Sequence, residues 1–291
     1  MRRRDFLVGA AGLLGAAANP LRAFANVPTP FTFDMKPPMA PGDKAKFIAW
    51  GVKERGEDPK FLGERFDRYL AMVRNEDLVD DRNKRAFLLT PREKFVLKQN
   101  EARAYDHAFL DIGYGVTISG PHLVGRMTST INPQLGEKVL EVGTGSGYQS
   151  AYLSHLTDKV FTIEIIKPLA ARTRGIYDAL IKDGYVEFKA ITSKNADGYY
   201  GWAENAPFDK IIVTCGIDHV PPPLLQQLKD GGTMVIPVGP PGAQRVLKVV
   251  KTKNADGTIT VTRSDIYHGR IVPFVPFTKL EGDSIKGTHN N

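Results

Sequence analysis

Three closely spaced glycines and one glutamate supply the residue types from which a site for an adenosyl ligand can be built. Gly143, Gly145 and Gly147 stand at alternate positions, G-x-G-x-G, and Glu164 follows the first of them by about 20 residues. The spacing differs from the G-x-G-x-x-G fingerprint of dinucleotide sites, which favours an adenosyl ligand other than a nicotinamide or flavin cofactor. The two oxygens of a carboxylate match two neighbouring O–H donors. Glu164 is therefore a candidate partner for both hydroxyls of a ribose.

These residues require a strand, a tight loop and a helix to position them. Residues 138–142 form an apolar, β-prone run, and residues 148–156 have helical spacing. We expect backbone N–H groups at the start of that helix to be free to face a ligand. A second buried strand, residues 159–163, leads directly to Glu164. The alternative is that Glu164 only caps the helix that begins near Pro168.

The composition is that of an ordinary soluble globular protein with one sizeable core and a modest extension. The chain has 291 residues and a net charge of +7, of which +3 lies in the first 25 residues. The remainder is too weakly basic to favour nucleic-acid binding. Cys215 is the single cysteine and the six histidines have no ligand-like spacing, so neither a disulfide within the chain nor a metal site is expected.

The N-terminus has the pattern of an export signal. Basic residues 2–4 precede a mild apolar run, residues 8–18, and a small-residue site that ends at Ala25. The motif R-R-x-F-L at residues 3–7 resembles the twin-arginine signal, whose machinery exports folded proteins. The run is too short and too weakly apolar for a stable membrane span. We therefore predict a signal peptide at 1–25 and a periplasmic protein. The alternative is a cytoplasmic protein whose leader is not functional.

The rest of the chain divides into four further parts. Residues 26–43 contain five prolines, which indicates an extended tether and not a packed element. In residues 44–89 apolar side chains recur at intervals of three and four, which predicts two or three amphipathic helices within an N-terminal extension that spans 44–112. These helices could be structural or could cover a substrate. A larger domain at 113–280 and a loose tail at 281–291 complete the chain.

The larger domain alternates strand-like and helix-like segments. This alternation, with a glycine loop after the first strand, favours an α/β fold with a doubly wound, mostly parallel sheet. A ligand would then bind at the carboxyl ends of the strands. The predicted segments after Glu164 are a strand at 186–191, a strand at 206–214, a helix at 224–228, a turn and strand at 231–239, and a hairpin formed by 245–251 and 258–262 around the turn 254–257.

One stretch makes the resemblance to a known family specific. Residues 108–122 contain Thr-Ile-Ser-Gly-Pro-His and, together with the glycine loop, resemble the protein-L-isoaspartate (D-aspartate) O-methyltransferase family over about 78–278. The resemblance implies a monomer with a Rossmann-like methyltransferase sheet that uses S-adenosyl-L-methionine. It also implies transfer of a methyl group to the carboxylate of L-isoaspartyl (D-aspartyl) residues in damaged proteins or peptides. Repair would then proceed through a succinimide.

The resemblance also assigns roles to individual residues. Ser119 would donate a hydrogen bond to the acceptor carboxylate, and Thr117 would shape the pocket. No strong general base is required, because a carboxylate is already ionised at neutral pH. Asp197 has an alternative role as a turn or helix-cap residue. The residues implied in cofactor binding are Gly143, Thr144, Gly145, Ser146 and Gly147 for the amino-acid portion, Glu164 for the ribose, Asp197 and Gly198 for the adenine, and Thr278 in the closing segment.

Three departures from the family pattern leave the acceptor open. Val116 stands where bacterial relatives commonly have Gln, Asp111 where Pro is usual, and Cys215 begins a pair that replaces two alanines. These positions are expected beside the substrate and cofactor. Cys215 is expected to be a small buried apolar residue, and His122 to cap or pack in its loop. Two alternatives to the isoaspartyl enzyme are therefore a methyltransferase of the same fold with another carboxylate or envelope acceptor, and an exported binding protein without catalysis.

Overall fold

A computed structural model describes residues 29–274 of the chain. The predicted signal peptide at 1–25, Thr278 and the tail at 281–291 lie outside the described residues.

The described chain contains seven α-helices and nine β-strands. No helix between residues 29 and 274 is both long enough and apolar enough to span a bilayer. The helices are α1 (Lys44–Arg55), α2 (Pro59–Arg74), α3 (Asp81–Leu89), α4 (Pro121–Ile131), α5 (Tyr148–Leu153), α6 (Lys167–Lys182) and α7 (Pro222–Gln227). The strands are β1 (Leu110–Asp111), β2 (Thr117–Ile118), β3 (Lys138–Val142), β4 (Lys159–Glu164), β5 (Ile191–Asn195), β6 (Phe208–Val213), β7 (Leu228–Val238), β8 (Arg245–Lys253) and β9 (Ile259–Asp265).

Seven of the strands form one central sheet in the order β5-β4-β3-β6-β7-β8-β9. The pairs from β5 to β7 are parallel, whereas β8 and β9 are added antiparallel. The prediction of an α/β fold with a mostly parallel sheet is thus confirmed. The chain proceeds from β3 to β4 and β5 on one side and then returns to place β6 on the other. The strand order therefore reverses between β3 and β6, where folds of this class bind ligands.

The two faces of the sheet have separate hydrophobic cores. Successive side chains of a strand point to opposite faces, and Val139 belongs to one core while Leu140 and Val142 belong to the other. The first core also contains Phe47 of α1 and Phe66 of α2. The N-terminal helices therefore share a core with the sheet.

Buried charges join the N-terminal helices to the sheet. The Arg55 guanidinium at the end of α1 donates to Glu187, which precedes β5, at 2.5 Å, and both side chains are almost fully buried. Arg65 of α2 pairs with Glu57 at 2.6 Å and with Glu93 at 3.3 Å. Burial raises the pKa of Glu187, while Arg55 opposes that shift. Each buried charge thus has an oppositely charged partner, and the Arg55–Glu187 pair connects α1 to the segment that precedes β5.

The segment 29–43 is packed against the protein, which the proline-rich composition did not indicate. It has no helix or strand, but the Phe31 ring meets the His155 ring edge-on at 5.0 Å between centroids. The Thr29 N–H donates to the Glu54 carbonyl at 2.6 Å, and Arg85 donates to the Phe33 carbonyl. The described part of the tether is therefore attached to the body along its length.

The strand predicted at 186–191 is wrong. Val186–Ala190 form a 3-10 helix, and β5 begins only at Ile191. The apolar alternation that suggested a strand places Phe188 against Tyr185, with ring centroids 5.6 Å apart, while Glu187 reaches Arg55. Two further boundaries differ, since α5 ends at Leu153 and Leu228 already belongs to β7.

The Arg55–Glu187 pair gives a test of how the helices are attached. Arg55→Met leaves Glu187 buried without its partner, so we expect the free energy of unfolding in urea to fall by about 3 kcal/mol. The double variant Arg55→Met/Glu187→Leu removes both charges, and we expect it to recover at least half of that loss. Lys44→Met breaks an exposed pair with Asp67 and should cost about 0.5 kcal/mol. A double variant that is less stable than Arg55→Met would contradict this account.

Candidate active site

A cavity opens at the carboxyl ends of β3, β4 and β6, at the point where the strand order reverses. It encloses about 790 Å³ of space, including part of its open mouth. The residues that line it are Phe109, Val116, Thr117, Ser119, Val142, Gly143, Gly145, Ile163, Glu164, Ile165, Ile166, Leu169, Gly198, Thr214, Cys215, Pro273 and Phe274. Predicted site residues from four separate segments of the chain therefore meet at one cavity.

The glycine loop has a backbone that only glycine adopts without strain. The φ angles of Gly143, Gly145 and Gly147 are +99°, +54° and +90°, in the region that L side chains rarely occupy. A Cβ on Gly143 would lie 2.4 Å from the Thr214 hydroxyl oxygen, and one on Gly147 would lie 2.6 Å from the Tyr177 hydroxyl oxygen. The loop is therefore packed closely from both sides.

Most N–H groups of this loop already have hydrogen-bond partners within the protein. Only Ser146, among residues 143–147, has a backbone N–H without a hydrogen bond to the described chain. The four bonds run from Gly143 to Ile163 O at 2.9 Å, from Thr144 to Ile163 O at 3.1 Å, from Gly145 to Glu164 Oε2 at 2.8 Å and from Gly147 to Thr144 O at 2.9 Å. Three of these acceptors lie at the end of β4, so the neighbouring strand fixes the loop.

Glu164 is held in a defined orientation at the end of β4. Its Oε2 accepts the Gly145 N–H at 2.8 Å and its Oε1 accepts the Ile166 N–H at 2.9 Å. Ile166 is the N-cap residue of α6, so Glu164 does bind the start of that helix, as the alternative proposed, but its bond to Gly145 and its place at the cavity show that this is not its only role. Its carboxylate, 5% exposed, joins two loops and lines the cavity. Sequence reasoning did not anticipate this joining role.

The hairpin β1–β2 delivers Thr117 and Ser119 to the same cavity. Asp111 pairs with Thr117 in the short ladder. Thr117 and Ser119 both line the cavity, whereas Ile118 between them is buried with the hydrophobic core, as the alternation along an extended strand requires. The Ser119 hydroxyl makes no hydrogen bond within residues 29–274. Asp111 does not line this cavity, and its carboxylate accepts the Gly113 N–H at 3.2 Å in the turn.

Two more predicted residues, Thr144 and Ser146, line a neighbouring cavity of about 450 Å³. The two cavities share Ser119 and Gly145 in their walls. The Thr144 hydroxyl lies 2.6 Å from the Thr162 hydroxyl, and Ser146 accepts the Tyr148 N–H at 3.3 Å. Both side chains therefore have structural partners as well as access to a cavity.

Asp197 and Gly198 follow β5 and differ in their placement. The Asp197 carboxylate accepts the Tyr199 N–H at 2.8 Å and so caps a short 3-10 helix, as the alternative role required. It does not line either of these two cavities, whereas Gly198 lines the first. A Cβ on Gly198 would lie 2.4 Å from Val142 Cγ1. Contact of Asp197 with an adenine remains a prediction.

The apolar walls of the cavity come from residues that the sequence did not single out as site residues. Phe109 precedes the hairpin, Leu169 belongs to α6, and Phe274 closes the described chain. The Phe274 N–H donates to the Gln244 amide oxygen at 3.1 Å. The signal that could have identified Phe274 is its place in the closing segment of the family resemblance.

The predicted placement of Val116 and Cys215 beside the cavity is confirmed, since both line it. Burial raises the pKa of the Cys215 thiol, so the group is protonated at neutral pH. His122 packs face-to-face on His107 with ring centroids 3.6 Å apart. Burial and the nearby His107 lower the pKa of His122 to about 4. A neutral, stacked imidazole agrees with the packing role predicted for it.

Glu141 is a buried acid in the wall of the second cavity. Its side chain is completely inaccessible to solvent, and it accepts hydrogen bonds from Ser150 and, at 2.7 Å, from Thr162. Burial raises the pKa of Glu141 to about 8 in spite of these two donors. The carboxyl group is therefore mainly protonated at neutral pH.

Within residues 29–274, no group of three or more His, Cys, Asp or Glu side chains could hold a metal ion.

Comparisons with known proteins agree with this geometry. A family model described as protein-L-isoaspartate (D-aspartate) O-methyltransferase matches residues 67–282. Protein-L-isoaspartate O-methyltransferase 2 of a Polaromonas species is 47% identical over 188 residues, which cover 65% of this chain and 83% of the relative. Protein-L-isoaspartate O-methyltransferase of Opitutus terrae is 41% identical over 205 residues, 70% of this chain and 82% of the relative.

Solved structures show the same fold. A protein-L-isoaspartate O-methyltransferase structure superposes with a TM-score of 0.61 and 25% identity over 73% of this chain and 65% of that chain. A structure from Plasmodium falciparum, solved in complex with S-adenosyl-L-homocysteine, gives a TM-score of 0.60 and 21% identity over 74% of this chain and 98% of that chain.

The raised pKa of Glu141 predicts a pH-dependent stability. The preference of the folded state for protonated Glu141 contributes its full stabilisation below pH 4.5, the ordinary pKa of a glutamate. This contribution is lost as the pH rises through about 8, the pKa of Glu141 in the folded protein. Glu141→Gln does not titrate, so its free energy of unfolding should rise relative to wild type by up to about 1.4 kcal/mol per pH unit between pH 5 and 8. Urea unfolding at four pH values measures the difference. The exposed control Glu204→Gln should follow the wild type, and parallel curves for both variants would refute the assignment.

Proposed function

The chain belongs to the protein-L-isoaspartate (D-aspartate) O-methyltransferase family, and we infer that it transfers a methyl group from S-adenosyl-L-methionine to the carboxylate of L-isoaspartyl (D-aspartyl) residues in damaged proteins or peptides. The observation that carries this function is the meeting of Ser119 with Gly145 and Glu164 at one cavity. The family match spans every strand of the central sheet as well as the hairpin that bears Ser119.

The cavity has the features that an adenosyl cofactor requires. Its walls are mainly apolar, and they include one carboxylate in a fixed orientation, that of Glu164. Gly145 and Gly198 let the backbone approach the cavity closely. We assign the loop 143–147 to the amino-acid portion of S-adenosyl-L-methionine, Glu164 to its ribose and Asp197 with Gly198 to its adenine. When bound, S-adenosyl-L-methionine supplies an electrophilic methyl group.

The residues around the acceptor have to bind and orient a carboxylate that is already ionised. Ser119 has a hydroxyl at the cavity wall that can donate to such a carboxylate, and Thr117 lies beside it on the same side of the strand. His122, with a pKa of about 4, is not suited to accept a proton at neutral pH. Alignment of the acceptor and exclusion of water by the walls are then the main contributions of the protein.

Cofactor binding and methyl transfer are tested in one preparation of residues 26–291. Calorimetric titration with S-adenosyl-L-methionine and S-adenosyl-L-homocysteine is followed by methylation of an isoaspartyl peptide. Glu164→Ala should weaken cofactor binding by about 2 to 3 kcal/mol, because charge-assisted hydrogen bonds are lost. Binding without transfer would indicate another acceptor, which the Val116 and Cys215 departures would then explain. No binding would leave a protein that keeps the fold without the activity.

Ser119→Ala tests the acceptor side alone. We expect methyl transfer to the isoaspartyl peptide to fall at least tenfold, since one hydrogen bond to a charged group contributes about 1.5 kcal/mol or more. The calorimetric affinity for S-adenosyl-L-homocysteine should stay within twofold of wild type. Loss of both properties would instead mean that Ser119 supports the loop or the cofactor.

We propose that this enzyme works in the periplasm after export by the twin-arginine machinery. The proposal rests on the motif at residues 3–7 and on the small-residue site ending at Ala25. Replacing Arg3 and Arg4 together by lysine should retain the full-length chain in the cytoplasm, which cell fractionation and immunoblotting measure. A wild-type chain that stays in the cytoplasm at full length would overturn the proposal. A periplasmic enzyme would need a source of S-adenosyl-L-methionine outside the cytoplasm.

A further inference from the structure

We propose that Arg172 and Thr173, adjacent residues of α6, are positioning residues that set the distance between the acceptor hairpin and the glycine loop. The inference rests on the proposed methyl transfer and adds a residue pair that lies outside the sequence motifs. The two side chains leave the same helix and reach two different parts of the site. The argument depends on the contact that each of them makes.

Thr173 holds the glycine loop. Its hydroxyl, almost fully buried, donates to the Gly145 carbonyl at 2.6 Å. One turn later, the Tyr177 hydroxyl donates to the Gly147 carbonyl at 3.1 Å. Because the Gly145 N–H donates to Glu164, both backbone polar groups of Gly145 are fixed. The cofactor side of the cavity is therefore tied to α6.

Arg172 holds the acceptor hairpin. Its guanidinium donates from Nη2 to the Ile112 carbonyl at 2.5 Å and lies over the Tyr114 ring, with Cζ 5.4 Å from the ring centroid. No carboxylate pairs with Arg172 in the described part of the chain, whereas Arg174 pairs with Asp178 at 3.0 Å. The guanidinium of Arg172 therefore binds the hairpin, through the Ile112 carbonyl and the Tyr114 ring.

The hairpin needs such support because its own structure is weak. Each of its strands has only two residues, and a short isolated ladder is marginal in water. Its tip adopts left-handed φ angles at three consecutive residues, +83° at Gly113, +60° at Tyr114 and +70° at Gly115. Tyr114 has a side chain, so this conformation is strained unless neighbouring contacts stabilise it. The Arg172 contacts supply that stabilisation.

The hairpin and the glycine loop also lie close together, so a shift of one changes its fit to the other. The Ile112 Cδ1 atom lies 3.7 Å from the position that a Cβ on Gly145 would occupy. Ile112 and Gly145 are the residues whose carbonyls Arg172 and Thr173 hold. Ser119 comes directly after strand β2 of the hairpin and lines the cavity together with Gly145. The pair in α6 therefore sets how close the acceptor side comes to the cofactor side.

The test compares Arg172→Met with Arg174→Met, a matched change on the same helix. For Arg172→Met we expect kcat for the isoaspartyl peptide to fall at least about tenfold, because small misplacements of reacting groups are costly in rate. The calorimetric affinity of Arg172→Met for S-adenosyl-L-homocysteine should stay within about twofold of wild type. Arg174→Met should match wild type in both kcat and affinity. Arg172→Lys can donate one hydrogen bond to the Ile112 carbonyl and should recover part of kcat. Thr173→Val should instead weaken cofactor affinity.

A second measurement does not depend on activity. Amide hydrogen exchange of the free protein should be several-fold faster in residues 110–118 of Arg172→Met, and unchanged there in Arg174→Met. Unchanged exchange in Arg172→Met would overturn the inference whether or not the wild type methylates the peptide. Faster exchange with wild-type kcat would overturn the catalytic part of the inference. If the wild type does not methylate the isoaspartyl peptide but exchange is still faster in Arg172→Met, the proposed function is refuted. The inference that Arg172 supports the hairpin then still stands.

Discussion

The hydrogen bond between the Gly145 N–H and the Glu164 carboxylate is the contact on which the site depends. It joins the loop after β3 to the end of β4, two strands that lie side by side in the sheet. A parallel sheet brings such ends to one edge but does not determine how the loops beyond them are arranged. With Glu164 also accepting the Ile166 N–H, a single carboxylate sets the relation between the loop, the strand end and α6. A residue assigned to a ligand therefore also maintains the shape of the site.

The N-terminal helices and the sheet that carries the cavity form one structure. The sheet and the hairpin supply the cavity, while α1 and α2 fill the core beneath one face of the sheet, and α1 shares a buried ion pair with the segment that precedes β5. This arrangement favours a structural role for the N-terminal helices over a cover for the substrate. Buried ion pairs add little net stability compared with apolar packing, but they penalise any arrangement in which a charge loses its partner.

Local sequence patterns predicted what depends on local geometry. Apolar, β-prone runs located β3, β4 and β6, and the Asn254–Gly257 turn joins β8 to β9 as its residue types indicated. The prediction failed at 186–191, where a 3-10 helix forms because Phe188 packs against Phe95 and Glu187 accepts from Arg55, both far away in sequence. The cavity walls show the same limit. Phe109 and Phe274 are ordinary apolar residues until the fold brings them together, and three N–H donors of the glycine loop find their acceptors at the end of the neighbouring strand β4.

The Arg55–Glu187 pair has a consequence for how the protein is made. The two residues are 132 positions apart in the chain. At about 5 to 20 residues per second, a ribosome takes roughly 7 to 26 seconds to reach Glu187 after Arg55 has been added. During that interval Arg55 has Glu57 as a partner but lacks Glu187. The final pairing of this guanidinium therefore follows the synthesis of Glu187, which makes the completion of the α1 contact a late step in biosynthesis.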